Sequence, residues 1–83
     1  MKILLFARLR EVHGSESLEI VDSDCPADVG ALRALIADRA GAEFAEAMRD
    51  PNVICAVNQH LARDDTPVRA SDEVAFFPPM TGG

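Results

Sequence analysis

Val53-Ile54-Cys55-Ala56-Val57 is an unbroken apolar run of strand length, and no other stretch constrains the fold as tightly. Five consecutive apolar residues place apolar side chains on both faces of a strand. Such a strand needs neighbours on either side and cover over at least one face. With 83 residues, the chain has material for one core of this kind and no second domain. A chain this short buries only roughly 60–65% of the surface that its unfolded form exposes. A deep pocket enclosing a substrate would consume core it can hardly spare, so chemistry is expected at an edge or a terminus.

The flanking segments supply the neighbours and the cover. Residues 2–9 (KILLFARL) are rich in strand formers, with Ile3, Leu5, Ala7 and Leu9 on the parity expected to face the core. Lys2, Leu4, Phe6 and Arg8 fall on the outward parity. His13-Gly14-Ser15 has turn chemistry, and Ser17 to Asp22 alternates again with Leu18 and Ile20 inward, so the opening reads as a β-hairpin. Asp28 suits a helix N-cap; Val29, Leu32, Leu35 and Ile36 recur at helical spacing, and Gly41 suits the C′ position. A short second helix is expected over Ala42 to Arg49, with Phe44 and Met48 at i and i+4 and Asp50-Pro51 as its stop.

After the central run, Asn58-Gln59-His60 turns the chain, and Leu61 to Val68 reads as a weaker strand that Pro67 confines to an edge. Glu73 to Phe77 (EVAFF) is the last strand. The order β-β-α-(α)-β-β-β predicts an α+β roll of the β-grasp, ubiquitin-like type. It consists of a mixed sheet of about five strands packed on one main helix, plus the short second one. Residues 1–77 form this domain, and residues 78–83 form an extended C-terminal tail.

Charge and cysteine content narrow the function. The net charge is −6, with acidic residues scattered from Glu11 to Glu73, and no basic stripe is interleaved with aromatics. Repulsion from phosphates therefore argues against nucleic acid as a partner, and basic protein surfaces fit better. Cys25 and Cys55 stand far apart without a C-x-x-C pair or a nearby His, so they read as small apolar residues and no metal site is expected. The apolar run Ile3 to Phe6 is interrupted by Arg8 and Arg10, far short of the ~20 residues that span a bilayer. No signal-peptide cleavage pattern follows it, so no membrane association and a cytoplasmic location are expected.

The informative stretch is the end, Phe77-Pro78-Pro79-Met80-Thr81-Gly82-Gly83. Neither proline has an N–H, so strand pairing weakens after Phe77 and the backbone is biased to an extended path. The tail is expected to leave the body there, with a reach of about 20 Å at roughly 3.3 Å per residue. Gly82-Gly83 has no side chains to block a narrow passage and presents a naked carboxylate. A carboxylate is a poor electrophile, so modifying it in water requires an acyl-adenylate made from ATP. Sulfur from a persulfide could then displace AMP and leave a thiocarboxylate, a good nucleophile at neutral pH. The carrier itself needs no general base or metal, and the sequence offers no triad, paired-carboxylate site or phosphate loop.

Strand parity supplies a second constellation. Val74 and Phe76 fall on the core side of the last strand, whereas Ala75 and Phe77 share the outward side with Glu73. If the first and last strands are neighbours, Phe6 and Phe77, two of the four Phe residues, form one apolar patch beside the tail.

The ending DEVAFFPPMTGG (Asp72 to Gly83), together with AVNQHL (Ala56 to Leu61) and LLFARLRE (Leu4 to Glu11), resembles the family of molybdopterin synthase small subunits. The resemblance runs over essentially the whole chain, and Phe-Phe-Pro-Pro-x-x-Gly-Gly is its specific part. It implies a β-grasp fold and a terminal Gly83 adenylated by an E1-like enzyme, with ATP used by that enzyme and no cofactor held by this chain. The thiocarboxylated tail would insert into the synthase large subunit, within a heterotetramer. There it would give sulfur to cyclic pyranopterin monophosphate, two sulfurs making the dithiolene of molybdopterin. Carried over by motif, Gly83 bears the sulfur and Gly82 is the slim residue behind it. Phe6, Leu61 and Phe77 form the docking patch, while Pro78, Pro79, Met80 and Thr81 thread into the partner. Competing readings are a sulfur carrier for thiazole formation or protein modification, and an interaction module with inert terminal glycines. Lys2 is the only lysine, so conjugation of the chain to itself is not expected.

Overall fold

The computed structural model describes residues 1–79; Met80, Thr81, Gly82 and Gly83 lie outside the described residues. The chain runs β1 (Lys2–Leu5), α1 (Ala7–His13), β2 (Ser17–Glu19), a 3-10 turn at Asp22–Asp24, α2 (Val29–Ala37) and α3 (Gly41–Met48). It continues through β3 (Ile54–Val57), β4 (His60–Ala62) and β5 (Glu73–Phe77). The strands form one sheet in the order β2-β1-β5-β3-β4, antiparallel throughout except for the parallel pair β1 and β5. This is the mixed five-stranded β-grasp roll that the element order predicts, with the apolar run at β3 held between β5 and β4.

The opening hairpin is the main correction. Only Lys2–Leu5 is strand, and Ala7–His13 is a helix that ends at Gly14, whose φ of 92° supplies the left-handed C-cap. The Gly14 N–H donates to the Arg10 carbonyl at 2.9 Å. Leu5 and Leu9 are four apart, a spacing that a strand and a helix both place on one face, so alternation alone cannot separate the two. The helix formers Arg8, Leu9, Arg10 and Glu11 decide for the helix. Leu9 is buried as expected, but Ala7 is exposed, at the corner between β1 and α1 with φ of +52°. The strand expected up to Asp22 ends at Glu19.

The main helix is capped as expected, with the Asp28 carboxylate accepting from the Ala31 N–H at 2.8 Å. It ends at Ala37, so Gly41 is not its C′ residue; with φ of +89°, Gly41 opens α3 instead. The weak strand expected over 61–68 also divides. β4 stops at Ala62, and Arg63 and Thr66 close a turn through an Arg63 N–H to Thr66 Oγ1 bond of 2.9 Å. Pro67 makes only an isolated bridge to Asp28.

The core lies between the sheet and the helices. Ile3, Leu5, Cys55, Val74 and Phe76 project from the strands onto Leu9, Val29, Leu32, Ile36, Phe44 and Met48, and none of these is more than 2% exposed.

Candidate functional site

The face of the sheet turned away from the helices carries apolar residues as well. Cross-strand register sets Leu4 opposite Ala75, Ala75 opposite Ala56, and Ala56 opposite Leu61, a row crossing four strands. Phe6 and Phe77, two residues further along β1 and β5, flank the row on one side. Their rings stack with centroids 4.5 Å apart and 10° between planes. Phe6 is 40% exposed and Leu61 82% exposed. Leu4, Phe6, Ala56, Leu61, Ala75 and Phe77 line a shallow depression of about 430 Å³, with Gln59 and Glu73 at its margin. On its other side, Lys2 lies opposite Glu19 and opposite Glu73, so a charged row bounds the apolar one.

Leu61 reaches this face because of the turn before it. Asn58 and Gln59 both have positive φ, 50° and 70°, as the two-residue hairpin turn between β3 and β4 requires. Asn58 then ties the turn to β5. Its N–H donates to the Glu73 carbonyl at 2.8 Å, and its Oδ1 accepts from the Glu73 N–H at 3.0 Å. Its Nδ2 donates to the Asp72 carboxylate at 2.9 Å, whose other oxygen accepts from the Arg69 N–H at 2.8 Å. The Asn58 bond first, and the Arg69 N–H second, hold the Asp72 carboxyl below its ordinary value.

The structure therefore brings Phe6, Leu61 and Phe77 to one surface at the end of the last strand. Pro78 and Pro79 follow but do not leave the body at once. Both are half-buried and line a second depression with Ala7, Arg8 and Leu9 of α1, Ala47 of α3, Asp50 and Val53. Met80, Thr81, Gly82 and Gly83, on which the expected chemistry rests, lie outside the described residues. Sequence reasoning did not assign Leu4, Ala56 and Ala75 to the patch. Outward parity already marked Leu4 and Ala75, whereas Ala56 is hidden within a run that is apolar on both faces.

Little else in the described residues suits chemistry. Cys55 is buried, and desolvation pushes its thiol up to about 11; Arg33 pulls it back and Asp64 adds to the rise. It is a neutral thiol at physiological pH. Both cysteines are free, and Cys25 is half-buried with Sγ 3.5 Å from the Pro26 carbonyl. His13 packs edge-on against Phe44, and His60 is exposed at the start of β4. Among the described residues, no group of three or more His, Cys, Asp or Glu could hold a metal ion, and no helix is long and apolar enough to cross a membrane.

Comparison with known proteins adds relatives along the whole chain. The ThiS family matches residues 3–83. The molybdopterin synthase sulfur carrier subunit of Escherichia coli (strain K12) is 43% identical over 83 residues, covering all of this chain and 99% of that protein. Among solved structures, SAMP1 from Haloferax volcanii is 37% identical, with a TM-score of 0.68 over all of this chain and 98% of its own. The putative molybdopterin converting factor, subunit 1, from Pyrococcus furiosus is 29% identical, with a TM-score of 0.71 over 95% of each chain.

Proposed function

Because the chain belongs to the ThiS family, we propose that it is the sulfur carrier of a molybdopterin synthase, bearing sulfur as a thiocarboxylate on Gly83. In the molecule itself, position supports the reading: the stacked Phe6–Phe77 pair and the bare apolar row stand at the root of a tail ending in Gly82-Gly83. Docking through that face would bring the tail to a partner's cleft without cost to the core. An exposed apolar surface rimmed by charge suits such an interface.

The chemistry is a nucleotidyl transfer, then an acyl transfer to sulfur, then a reduction. A Gly83 carboxylate oxygen attacks the α-phosphate of ATP on an E1-like enzyme, pyrophosphate leaves, and the mixed anhydride is an electrophile. A persulfide sulfur then adds to the carbonyl and AMP departs. Reductive cleavage of the resulting S–S bond by a thiol leaves the thiocarboxylate. On the synthase large subunit, in a heterotetramer, that sulfur would pass to cyclic pyranopterin monophosphate. This chain holds no cofactor in the scheme, and ATP belongs to the activating enzyme. Both partners are proteins acting in the cytoplasm.

Incubation of the full chain with an E1-like enzyme, ATP and a sulfur donor tests the reading by intact mass. One oxygen should be replaced by sulfur at the C-terminus, and deleting Gly83 should prevent it. Gly82→Val should lower the rate by on the order of 100-fold, because a β-branched side chain displaces the reacting carboxylate. An unchanged mass in the parent chain overturns the proposal. The likeness to SAMP1, a small archaeal modifier protein, favours a second reading, in which the chain is a protein modifier joined to other proteins through its activated glycine. Covalent conjugates in native extract, in place of a persistent thiocarboxylate, would select it.

A further inference from the structure

We infer that Ala7 is a positioning residue of the docking face: the left-handed turn of its backbone holds Phe6, just past the end of β1, in its stack on Phe77 before any partner arrives. The inference rests on the sulfur-carrier reading, which gives the Phe6–Phe77 pair its role, and adds to it the residue that keeps the pair in place.

Ala7 has φ of +52°, a conformation that disfavours any residue with a Cβ. Among the described residues, the only others besides glycine with positive φ are Asn58 and Gln59, and the hairpin turn between β3 and β4 accounts for both. Ala7 has no polar side chain to offset the strain locally, and it is exposed, so burial does not offset it either. Strain of this kind persists where the surrounding structure over-determines it.

The hydrogen bonds beside Ala7 show what is being held. In a parallel pair, each bonding residue of one strand joins the two residues that flank its opposite number. Phe76 lies opposite Leu5, and its carbonyl accepts from the Phe6 N–H at 3.3 Å. The next bond of the ladder would run from the N–H of residue 78 to the Phe6 carbonyl. Residue 78 is a proline and has no N–H. The Phe6 carbonyl accepts instead from the Leu9 N–H at 3.1 Å, within the first turn of α1. That bond requires the turn at Ala7, since in an extended chain Leu9 would stand about 10 Å further along from Phe6.

Phe6 is thus held through both its N–H and its C=O, with extended angles of φ −122° and ψ 151°. Phe77 is held by β3, opposite Ile54. Two fixed backbones keep the rings stacked although Phe6 is not buried. An aromatic anchor already in place loses less freedom on docking than one that must be ordered by the partner.

The test compares the full-length parent with Ala7→Val, Ala7→Gly and Ala7→Asn. A β-branched residue is an outlier in the left-handed region, whereas glycine and asparagine adopt it. Ile36→Val, which weakens the core without touching the docking face, controls for stability. Circular dichroism and melting establish folding. NMR of the free chains reads Overhauser contacts between the Phe6 and Phe77 rings and hydrogen exchange at the Leu9 amide, and calorimetry reads affinity for the proposed large-subunit partner. In Ala7→Val the ring contacts should be lost, the Leu9 amide should exchange about tenfold faster relative to that of Val74, and affinity should fall about tenfold. The glycine, asparagine and Ile36→Val chains should keep the contacts and bind within about threefold of the parent. A folded Ala7→Val with parental contacts and affinity overturns the inference, as does failure of glycine and asparagine to keep them. Equal weakening in Ile36→Val overturns it by tracing the effect to stability, and an unfolded Ala7→Val overturns it by giving Ala7 to the fold as a whole. A parent chain without the ring contacts, or with an unprotected Leu9 amide, overturns it with no variant needed. A parent chain that shows both but binds no large subunit defeats the carrier reading, and the inference with it.

Discussion

The two faces of the sheet are built by the same strands from the same kinds of residue, yet they end in different surroundings. On β5, Val74 and Phe76 are fully buried beneath the helices, while Ala75 and Phe77 remain partly open on the other side. Leu5 and Leu4 divide in the same way on β1. Hydrophobicity alone does not distinguish the members of each pair. One set is enclosed by α2 and α3 and specifies the fold, whereas the other is left uncovered by the described residues. Removing side chains from each face should therefore damage different properties.

The largest effect is expected on the covered face. Phe76→Ala opens a cavity in the core that Phe76 shares with Leu32 and Ile36 and should cost about 3–5 kcal/mol. That is a large part of the roughly 5–15 kcal/mol that holds a typical domain folded. Denaturant titration followed by circular dichroism measures it. A loss below about 1 kcal/mol would mean that the two faces do not differ as described.

Next in size is the bare face. Phe77→Asp removes the stack on Phe6 and places a charge at the end of the apolar row. The domain should stay folded, while affinity for the proposed large-subunit partner should weaken by about 2–4 kcal/mol, as for loss of an aromatic anchor. Calorimetry on the variant and parent gives the number. If Phe77→Asp unfolds the chain to the extent that Phe76→Ala does, the division of labour between faces fails.

Much of this division is legible in the sequence, because strand parity is a strict period of two. The positions of Val74, Phe76, Ala75 and Phe77 follow from it, as does the outward placement of Leu4 and Phe6. Leu61 entered the docking set through family resemblance, and register explains its place, one strand beyond Ala56. Parity fails at Leu9, where four residues complete either two strand repeats or about one helical turn. The burial of Leu9 is the same in both cases, so α1 leaves no trace in the hydrophobic pattern. Gly41 misled for a related reason. A positive φ marks a corner, and a corner can open a helix as well as close one. The depression that Pro78 and Pro79 line is shared with α1, so it could not be read before that helix was known.

Asn58 ties the turn between β3 and β4 to the start of β5 at the rim of the sheet, and its removal should have a smaller effect. Asn58→Ala loses the bonds to the Glu73 N–H and the Asp72 carboxylate and leaves a Cβ-bearing residue at φ of +50° without side-chain compensation. A cost of about 1–2 kcal/mol is expected from these terms together. Asn58→Gly, which tolerates the backbone angle, should recover part of it. Equal melting temperatures for the alanine and glycine variants would show that the side-chain bonds, and not the left-handed backbone, account for the loss.

The smallest expected effect is the pH dependence of that same rim. The folded Asp72 carboxyl titrates below its ordinary value because its ionised form accepts from Asn58 and from the Arg69 N–H. A carboxyl depressed in this way contributes stability that is fully present above the unfolded value near 4. That contribution fades as pH falls through the lower folded value, where the proton binds and the acceptor is lost. Asp72 is well solvated, so the contribution is modest and the useful measurement is a difference. Melting temperatures of the parent and Asn58→Ala chains, taken at steps from about pH 6 down to about pH 2, should converge in the acid range. In the alanine variant the leading cause of the depression is gone, so its stability should decline less steeply there. A gap that stays constant down to the lowest pH would mean that the Asn58 contribution comes from the Glu73 bond alone, with Asp72 a bystander at the edge of the sheet.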